Sequence, residues 1–326
     1  MKRRLLVTGG AGFIGSNFIR HVLGAHAGYR VVNLDNLTYC GNPENLRDLE
    51  KDARYTFVKG DIADGRVVGR LIEGCDCVVN FAAETHVDRS IKDPSRFIKT
   101  NVFGTTTLLE AARKAGTGVF LHISTDEVYG SVEKGVSSEE DALWPNSPYS
   151  ASKAAADMLV RSYFVTYDLP VIVTRSSNNF GPYQYPEKII PLFITNALEG
   201  KKLPVYADGM NVRDWLFVID NCEAIDLILH KGKAGEIYNI GGGNEIPNLK
   251  LTHMLLDIMG KGPDLIEFVK DRPGHDKRYA LNISKIRNLG WSPRHDFRTA
   301  LELTVRWYMD HRGWWERLKR RCKTSK

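Results

Sequence analysis

The stretch from Leu5 to Asp35 leaves the chain few folds to choose from. Leu5-Leu6-Val7-Thr8 is a short apolar run of the kind that a strand buried on both faces needs. It runs into Gly9-Gly10-Ala11-Gly12-Phe13-Ile14-Gly15, a GxxGxxG loop, and Ser16 to Leu23 follows with Phe18, Ile19, Val22 and Leu23 at helical spacing. Glycines in such a loop permit a tight turn, close approach of a pyrophosphate to backbone N–H groups, and close packing of helix on strand. A second strand, Val31-Val32-Asn33-Leu34, ends in Asp35 and Asn36. The acid lies about 20 residues past Gly15, where the ribose hydroxyls of a dinucleotide meet a carboxylate. The pattern predicts a strand–helix–strand unit that binds a dinucleotide through Gly9, Gly12, Phe13, Ile14, Gly15, Asp35 and Asn36. Asp35 favours NAD over NADP, because it repels a 2′-phosphate.

Strands and helices continue to alternate. Tyr55-Thr56-Phe57-Val58 is a third strand leading to Asp61 and Ile62, where Asp61 either reaches the adenine or shapes a turn. Cys77-Val78-Val79-Asn80-Phe81 is a fourth, opening into Ala82 and Ala83, whose small side chains let backbone lie close to a cofactor. Thr85, His86, Asp88 and Arg89 follow, as site residues or as a surface network. A helix from about Pro94 to Ala115 carries Thr100, taken as a cofactor contact, and Asn101 and Gly104 inside an apolar pattern. A glycine there costs about 1 kcal/mol against alanine, which points to close packing or a ligand. Val119 to Ser124 is a fifth strand and delivers Thr125-Asp126-Glu127 at its carboxyl end, where open α/β sheets bind ligands. Two adjacent carboxylates beside a hydroxyl suit acid–base chemistry, and they also suit a helix cap.

In Ser147-Pro148-Tyr149-Ser150-Ala151-Ser152-Lys153, Ser147 suits an N-cap and Pro148 the first helical position. Tyr149 and Lys153 then lie one turn apart on one face. A free tyrosine has a pKa of about 10. The lysine cation is expected to pull it down and make the phenol a usable base. An ordinary amphipathic helix would show the same spacing.

Val171-Ile172-Val173-Thr174 is a sixth strand, after which the alternation loses its regularity. The expected architecture is a Rossmann-type doubly wound parallel sheet over residues 1–176, with later segments returning to it. A smaller α+β lobe, mainly binding the substrate, is expected over 177–326. Asn178 faces both partners. Lys188 and Ile189 lie in a loop rich in Pro, Tyr and Lys, Pro204 and Tyr206 on a short strand, and Asn248 further on. Arg213 is a bidentate phosphate candidate, and Arg272 and His275 sit in a second basic loop. Surface salt bridges are the plainer reading of each cation, but their recurrence beside Pro, Gly and aromatics suggests a nucleotide-diphosphate clamp.

Composition narrows the classes further. No apolar run approaches the length of a membrane span, and Met1 to Arg4 lead straight into a strand, without the look of a signal peptide. Five scattered cysteines without a CxxC pair indicate a reduced, cytoplasmic protein with no metal site. A net charge of +6 suits an anionic small molecule. The basic run Arg317 to Lys326 reads as a solvated helix and frayed tail, and no motif supports nucleic-acid binding.

With these residues in hand, the chain resembles the extended short-chain dehydrogenases/reductases and, more narrowly, the dTDP-glucose 4,6-dehydratases. The glycine loop and the Tyr149/Lys153 pair point only to the superfamily. Thr125-Asp126-Glu127-Val128-Tyr129-Gly130 is more specific, as are residues 81–90, Asn178 to Gln184, Arg213-Asp214-Trp215 and residues 271–276. Thr85, Phe180 and Asn282 depart from the pattern, where serine, tyrosine and aspartate are common. The resemblance implies a tightly bound NAD regenerated at each turnover, a nucleotide-sugar substrate and a homodimer. It also implies that Tyr149, with Lys153 and Thr125, serves oxidation at C4, that Glu127 takes the C5 proton, and that Asp126 protonates the departing C6 hydroxyl. A dehydratase or 4-epimerase of another sugar nucleotide, and a non-catalytic NAD sensor, are the alternatives.

Overall fold

A computed structural model describes residues 3–324, the side chains of 321–324 excepted. Its strands are β1 (Arg3–Thr8), β2 (Tyr29–Asp35), β3 (Tyr55–Lys59), β4 (Cys77–Asn80), β5 (Val119–Thr125) and β6 (Val171–Ser176). They continue with β7 (Asn178–Phe180), β8 (Leu203–Tyr206), β9 (Val212–Phe217), β10 (Ile237–Ile240), β11 (Glu245–Pro247) and β12 (Ile266–Val269). Seven form one parallel sheet in the order β10-β6-β5-β4-β1-β2-β3. The order reverses between β1 and β4, so the loops leaving those strands open a crevice at the carboxyl edge. β4 and β6 are buried throughout, as continuous apolar runs require, whereas β3 at the edge is mostly exposed.

The helix Phe13–Ala25 turns Phe18, Ile19, Val22 and Leu23 onto the sheet and packs against Val218–Lys231, which leads into β10. On the other face lie Gly65–Ile72, Thr105–Ala115 and Pro148–Tyr167. Ser147 closes a capping box with Ser150 ahead of Pro148, as the sequence indicated. Residues 95–115 form a continuous helix with a π-helical segment at Ile98–Gly104. There Asn101 donates to the Glu84 carbonyl (3.0 Å) and to Ser152 (2.8 Å). A Cβ on Gly104 would lie 2.6 Å from Ile62 Cδ1, so close packing explains that glycine.

A second core lies between β7–β9–β11, β8–β12 and the helices Ile189–Leu198, Asn248–Ile258 and Phe297–Asp310. Phe180 is buried there against Trp215, Phe217 and Phe297, an apolar cage with no use for a tyrosine hydroxyl. The basic C-terminal helix, Arg312–Thr324, corrects one expectation. It buries Trp314, Trp315 and Leu318 in this core, and Lys319 donates to Asn196 (2.9 Å) and pairs with Glu199 (2.6 Å). It is a packed element, and the expected frayed end at 325–326 lies outside the described residues. Cys75 and Cys77 are buried and free, as expected of core cysteines.

Gly9 has φ +70°, and a Cβ there would lie 2.6 Å from the Ala82 backbone nitrogen. Gly9→Ala should therefore cost about 3 kcal/mol of stability in urea denaturation, from left-handed strain plus a clash that backbone cannot relieve.

Candidate functional site

β5 ends at Thr125, whose side chain caps a 3₁₀ turn, Asp126–Tyr129, by accepting from the Glu127 N–H at 3.3 Å. The cap turns two consecutive carboxylates into the crevice that also receives Tyr149 and Lys153, and one cleft is lined by all five residues. The catalytic set expected from the sequence is thus brought together in space. Capping and chemistry prove compatible, since the threonine does the capping and leaves both acids free.

The two acids stand in different surroundings. Asp126 is buried, accepts one bond from Thr125 (3.2 Å), and leaves Oδ2 without a partner. Burial, reinforced by the charges of Glu127 and Asp214, holds its pKa well above the usual carboxylate range. Glu127 is half-buried, and burial raises its pKa too, but Lys188, Arg272 and Arg213 all pull it back. Of the two, Asp126 holds a proton the more strongly.

The Tyr149–Lys153 pair corrects the simple electrostatic argument. Tyr149 is buried against Phe97 and Val87, and burial, with the charge of Glu127, raises its pKa, while a bond from Thr125 works the other way. Lys153 is also buried. Its Nζ donates to the Ile123 carbonyl at 2.6 Å, lies 3.4 Å from His122 Nε2, and has a pKa lowered by burial to about 8. Desolvation governs both groups, and Lys153 is not what dominates the tyrosine. Behind the lysine lies a network the sequence reading missed. Asp157, fully buried, pairs with Arg175 at 2.9 Å, and His122 lies between Asn80 (3.2 Å) and Asp157 (3.7 Å). Asp157 and Lys153 share an i,i+4 face, the one available signal, but Arg175 could not be assigned to it from local spacing.

The same cleft is lined by Gly9, Gly12, Phe13, Ile14, Gly15, Asp35, Asn36, Asp61, Ile62, Ala82, Ala83, Thr100 and Asn178. Those positions fit a dinucleotide. Gly12 caps the helix Phe13–Ala25 with no side chain, no acid occupies the first turn, and the free N–H groups there suit a pyrophosphate. A Cβ on Gly15 would lie 2.5 Å from the Gly9 carbonyl, so the loop closes only with glycine. Asp35 does more than face a ribose, since its carboxylate accepts from Ala11 N (2.9 Å) and Leu37 N (2.8 Å) and fixes the loop. Asp61 accepts from Ala63 N (2.9 Å) and Asn36 (3.2 Å), and so shapes a turn while lining the cleft. The amide oxygens of Asn178 and Gln184 are buried without an internal partner and line the same space, as acceptors for a ligand's donors.

Of the expected substrate residues, Thr85, Asn178 and Lys188 line the cleft, and Lys188 Nζ donates to the Thr85 carbonyl at 3.1 Å. His86, Ile189, Pro204, Tyr206, Arg213, Asn248, Arg272 and His275 lie outside its wall. His86 is 3.6 Å from Glu187, and burial with the surrounding cations lowers its pKa to about 3, so it is neutral. Arg89 pairs with Glu187 and Arg272 with Asp88, so the surface network left open by the sequence does form. Arg213 Nη2 donates to the Asp276 carbonyl (2.8 Å) and its guanidinium covers Tyr279, yet its charge reaches Glu127. Tyr206 meets His275 edge-on, and Asn248 keeps a buried amide oxygen unpaired. Tyr39 and Glu187 line the cleft without having been singled out, since no local motif marks them, and Glu84 lines it from within the 81–90 run without having been assigned a role.

Comparison with known proteins bears on this geometry. A family model described as GDP-mannose 4,6 dehydratase matches residues 6–304. A dTDP-glucose 4,6-dehydratase of Streptomyces antibioticus is 53% identical over 323 residues, covering 97% of this chain and 96% of that protein. The low-salt glycan biosynthesis protein Agl12 of Haloferax volcanii is 53% identical over 305 residues, covering 94% and 98%. DesIV, a dTDP-glucose 4,6-dehydratase of Streptomyces venezuelae crystallised with NAD, superposes with a TM-score of 0.95 at 53% identity, covering 97% and 99%.

The buried lysine yields a prediction with a defined sign. Its folded pKa, about 8, lies below its ordinary 10.5, so the unfolded chain holds the proton more tightly. The resulting penalty is complete below about pH 8 and disappears as the pH rises to 10.5. Lys153→Met should be more stable than the parent at pH 7 by about 1 kcal/mol or more, with the difference shrinking above pH 8, while turnover falls at least about 100-fold. Denaturant titrations across pH, beside activity assays, check both signs.

Proposed function

The chain belongs to the GDP-mannose 4,6 dehydratase family, and from that premise we propose that it converts dTDP-glucose to dTDP-4-keto-6-deoxy-glucose with NAD. The observation that carries the reading is the divergence of Asp126 and Glu127, adjacent in sequence and opposed in surroundings. A 4-epimerase needs no second acid for C5 or C6, and a sensor needs neither. The thymine preference follows the similar dehydratases, whose names specify dTDP-glucose.

NAD, which the glycine loop and Asp35 would hold, would take the C4 hydride and give it back to C6, ending each turnover as it began. Tyr149 accepts the C4 hydroxyl proton, and Lys153 and Thr125 position and polarise that oxygen. A ketone at C4 acidifies C5–H, and Glu127 removes that proton. Asp126, still protonated, gives its proton to the C6 hydroxyl, which leaves as water, and Glu127 afterwards returns a proton, exchanged with solvent, to C5. Burial favours these transfers, because proton donor and acceptor compete with little solvent. Lys188, Arg213 and Arg272 bring positive charge toward the side of Glu127, which suits a diphosphate.

The assembly is a homodimer in this proposal, joined through the helices of residues 95–115 and 148–167, which expose Ile98, Phe103, Met158 and Val165. Among the described residues no helix is long and apolar enough to cross a membrane, and the free cysteines suit a cytoplasmic setting.

Incubation with dTDP-glucose in heavy water should give a product lighter by one water and carrying one deuterium at C5, by mass spectrometry. An unchanged mass, with UDP- and CDP-glucose run alongside, overturns the proposal. Asp126→Asn and Glu127→Gln should each lower dehydration at least about 100-fold while C4 oxidation persists, seen in the ultraviolet absorbance of the bound nucleotide. Tyr149→Phe should suppress that absorbance change as well.

A further inference from the structure

The C-terminal end of the helix Phe13–Ala25 carries a side-chain cluster that the proposed chemistry does not use. His21 lies on this helix and His26 is its C-cap, while Asp226 and His230 share one face of Val218–Lys231 at i,i+4 spacing. The Asp226 carboxylate is the hub. His26 Nε2 lies 3.0 Å and 2.9 Å from its two oxygens, His21 Nε2 3.0 Å from one, and His230 Nδ1 3.1 Å from the other. The helix rises about 1.5 Å per residue, so this cluster stands about 20 Å from the glycine loop at the other end.

We propose that His26, Asp226 and His230 form a binding site for a divalent transition-metal ion of the zinc type, stapling the two helices together, with the fourth position open to water. The donor set is imidazole and carboxylate, which zinc takes readily. Donors around a tetrahedral ion with bonds of 2.0–2.1 Å stand about 3.3 Å apart, within a few tenths of an ångström of the separations from Asp226. Ligand atoms of His26, Asp226 and His230 all lie within 4.8 Å of one another. Three imidazoles around one carboxylate compete for two oxygens, and a shared cation settles that competition without three protons.

The neighbours behave as a supporting shell. Ligation through His230 Nδ1 replaces its 2.7 Å bond to the Asp226 carbonyl, while Tyr29 bonds His230 Nε2. The Tyr29 ring stacks on His26 with centroids 4.4 Å apart, which fixes that imidazole. The histidine side chains are 22–28% exposed, so an ion reaches them without unfolding the helices. The sequence gave no metal signal because the ligands lie on helices about 200 residues apart, with no local motif.

The test uses the untagged full chain, stripped with EDTA and titrated with zinc and with cobalt(II). One equivalent should bind, cobalt should show the intense visible bands of a tetrahedral site, and zinc at 100 times its dissociation constant should raise Tm by about 5 °C. His26→Gln and Asp226→Asn should each weaken zinc binding at least about tenfold, with circular dichroism and dTDP-glucose turnover unchanged. No uptake at millimolar zinc, or uptake unaltered in both variants, overturns the site and leaves the cluster an ionic network only. Dehydratase activity reads independently of this result, so failure of the metal site and failure of the functional reading are distinguishable.

Discussion

A single buried carboxylate, Asp157, holds the catalytic edge together. It follows Tyr149 and Lys153 on one face of their helix and is 1% exposed, as is its partner Arg175 on β6. Burying such charges costs several kcal/mol per ion and is sustained only where every remaining donor finds an acceptor. Arg175 meets it through Nε and Nη1, whereas Oδ1 of Asp157 is buried without a hydrogen-bond partner. Besides Asp157, Arg175 donates to the Tyr129 hydroxyl at 2.8 Å, and Tyr129 donates to Asn239 on β10, also at 2.8 Å. The chain of bonds therefore ties the helix of Tyr149 and Lys153, the strand β6, the turn carrying Asp126 and Glu127, and a strand recruited from far down the sequence. Position of the reacting groups and integrity of the sheet are one problem in this protein.

The same burial sets the chemistry. Removing water raises Asp126 and Tyr149 and lowers Lys153, each against the form a solvated group would take. A site of this kind is costly to stability and useful to catalysis for the same reason, since groups uncomfortable in their resting protonation states exchange protons readily. Glu127 is raised as well, though three cations oppose the effect of its burial.

What was legible in the sequence was whatever repeats locally. The strand–glycine–helix–strand unit, the Ser147 cap and the Thr125-Asp126-Glu127 run are short patterns whose meaning depends on neighbours a few residues away, and they led to the cleft. The roles of Arg175 and His122 were invisible, because they depend on partners brought close only by the sheet. The C-terminal helix misled for a related reason. Its Lys and Arg residues outnumber the three apolar side chains it buries, and composition cannot show that Trp314, Trp315 and Leu318 all face inward. The argument from Lys153 to Tyr149 failed in direction, since spacing reveals proximity and not desolvation.

The cations near Glu127 link recognition to reactivity in the proposed reaction. Lys188, Arg213 and Arg272 come from three separate segments, yet all lower the pKa of one carboxylate. A diphosphate settling among them would neutralise part of that field. Glu127 would then be left with desolvation less fully opposed, and its affinity for a proton would rise. A carboxylate that is a weak base alone would become a stronger one once the anionic substrate is seated, before C5 is made acidic. Asp126 would feel this less, because Arg213 is the only one of the three cations that acts on it and burial dominates its titration. The arrangement therefore couples proton abstraction to the arrival of a nucleotide diphosphate, through charge alone and without requiring the backbone to move.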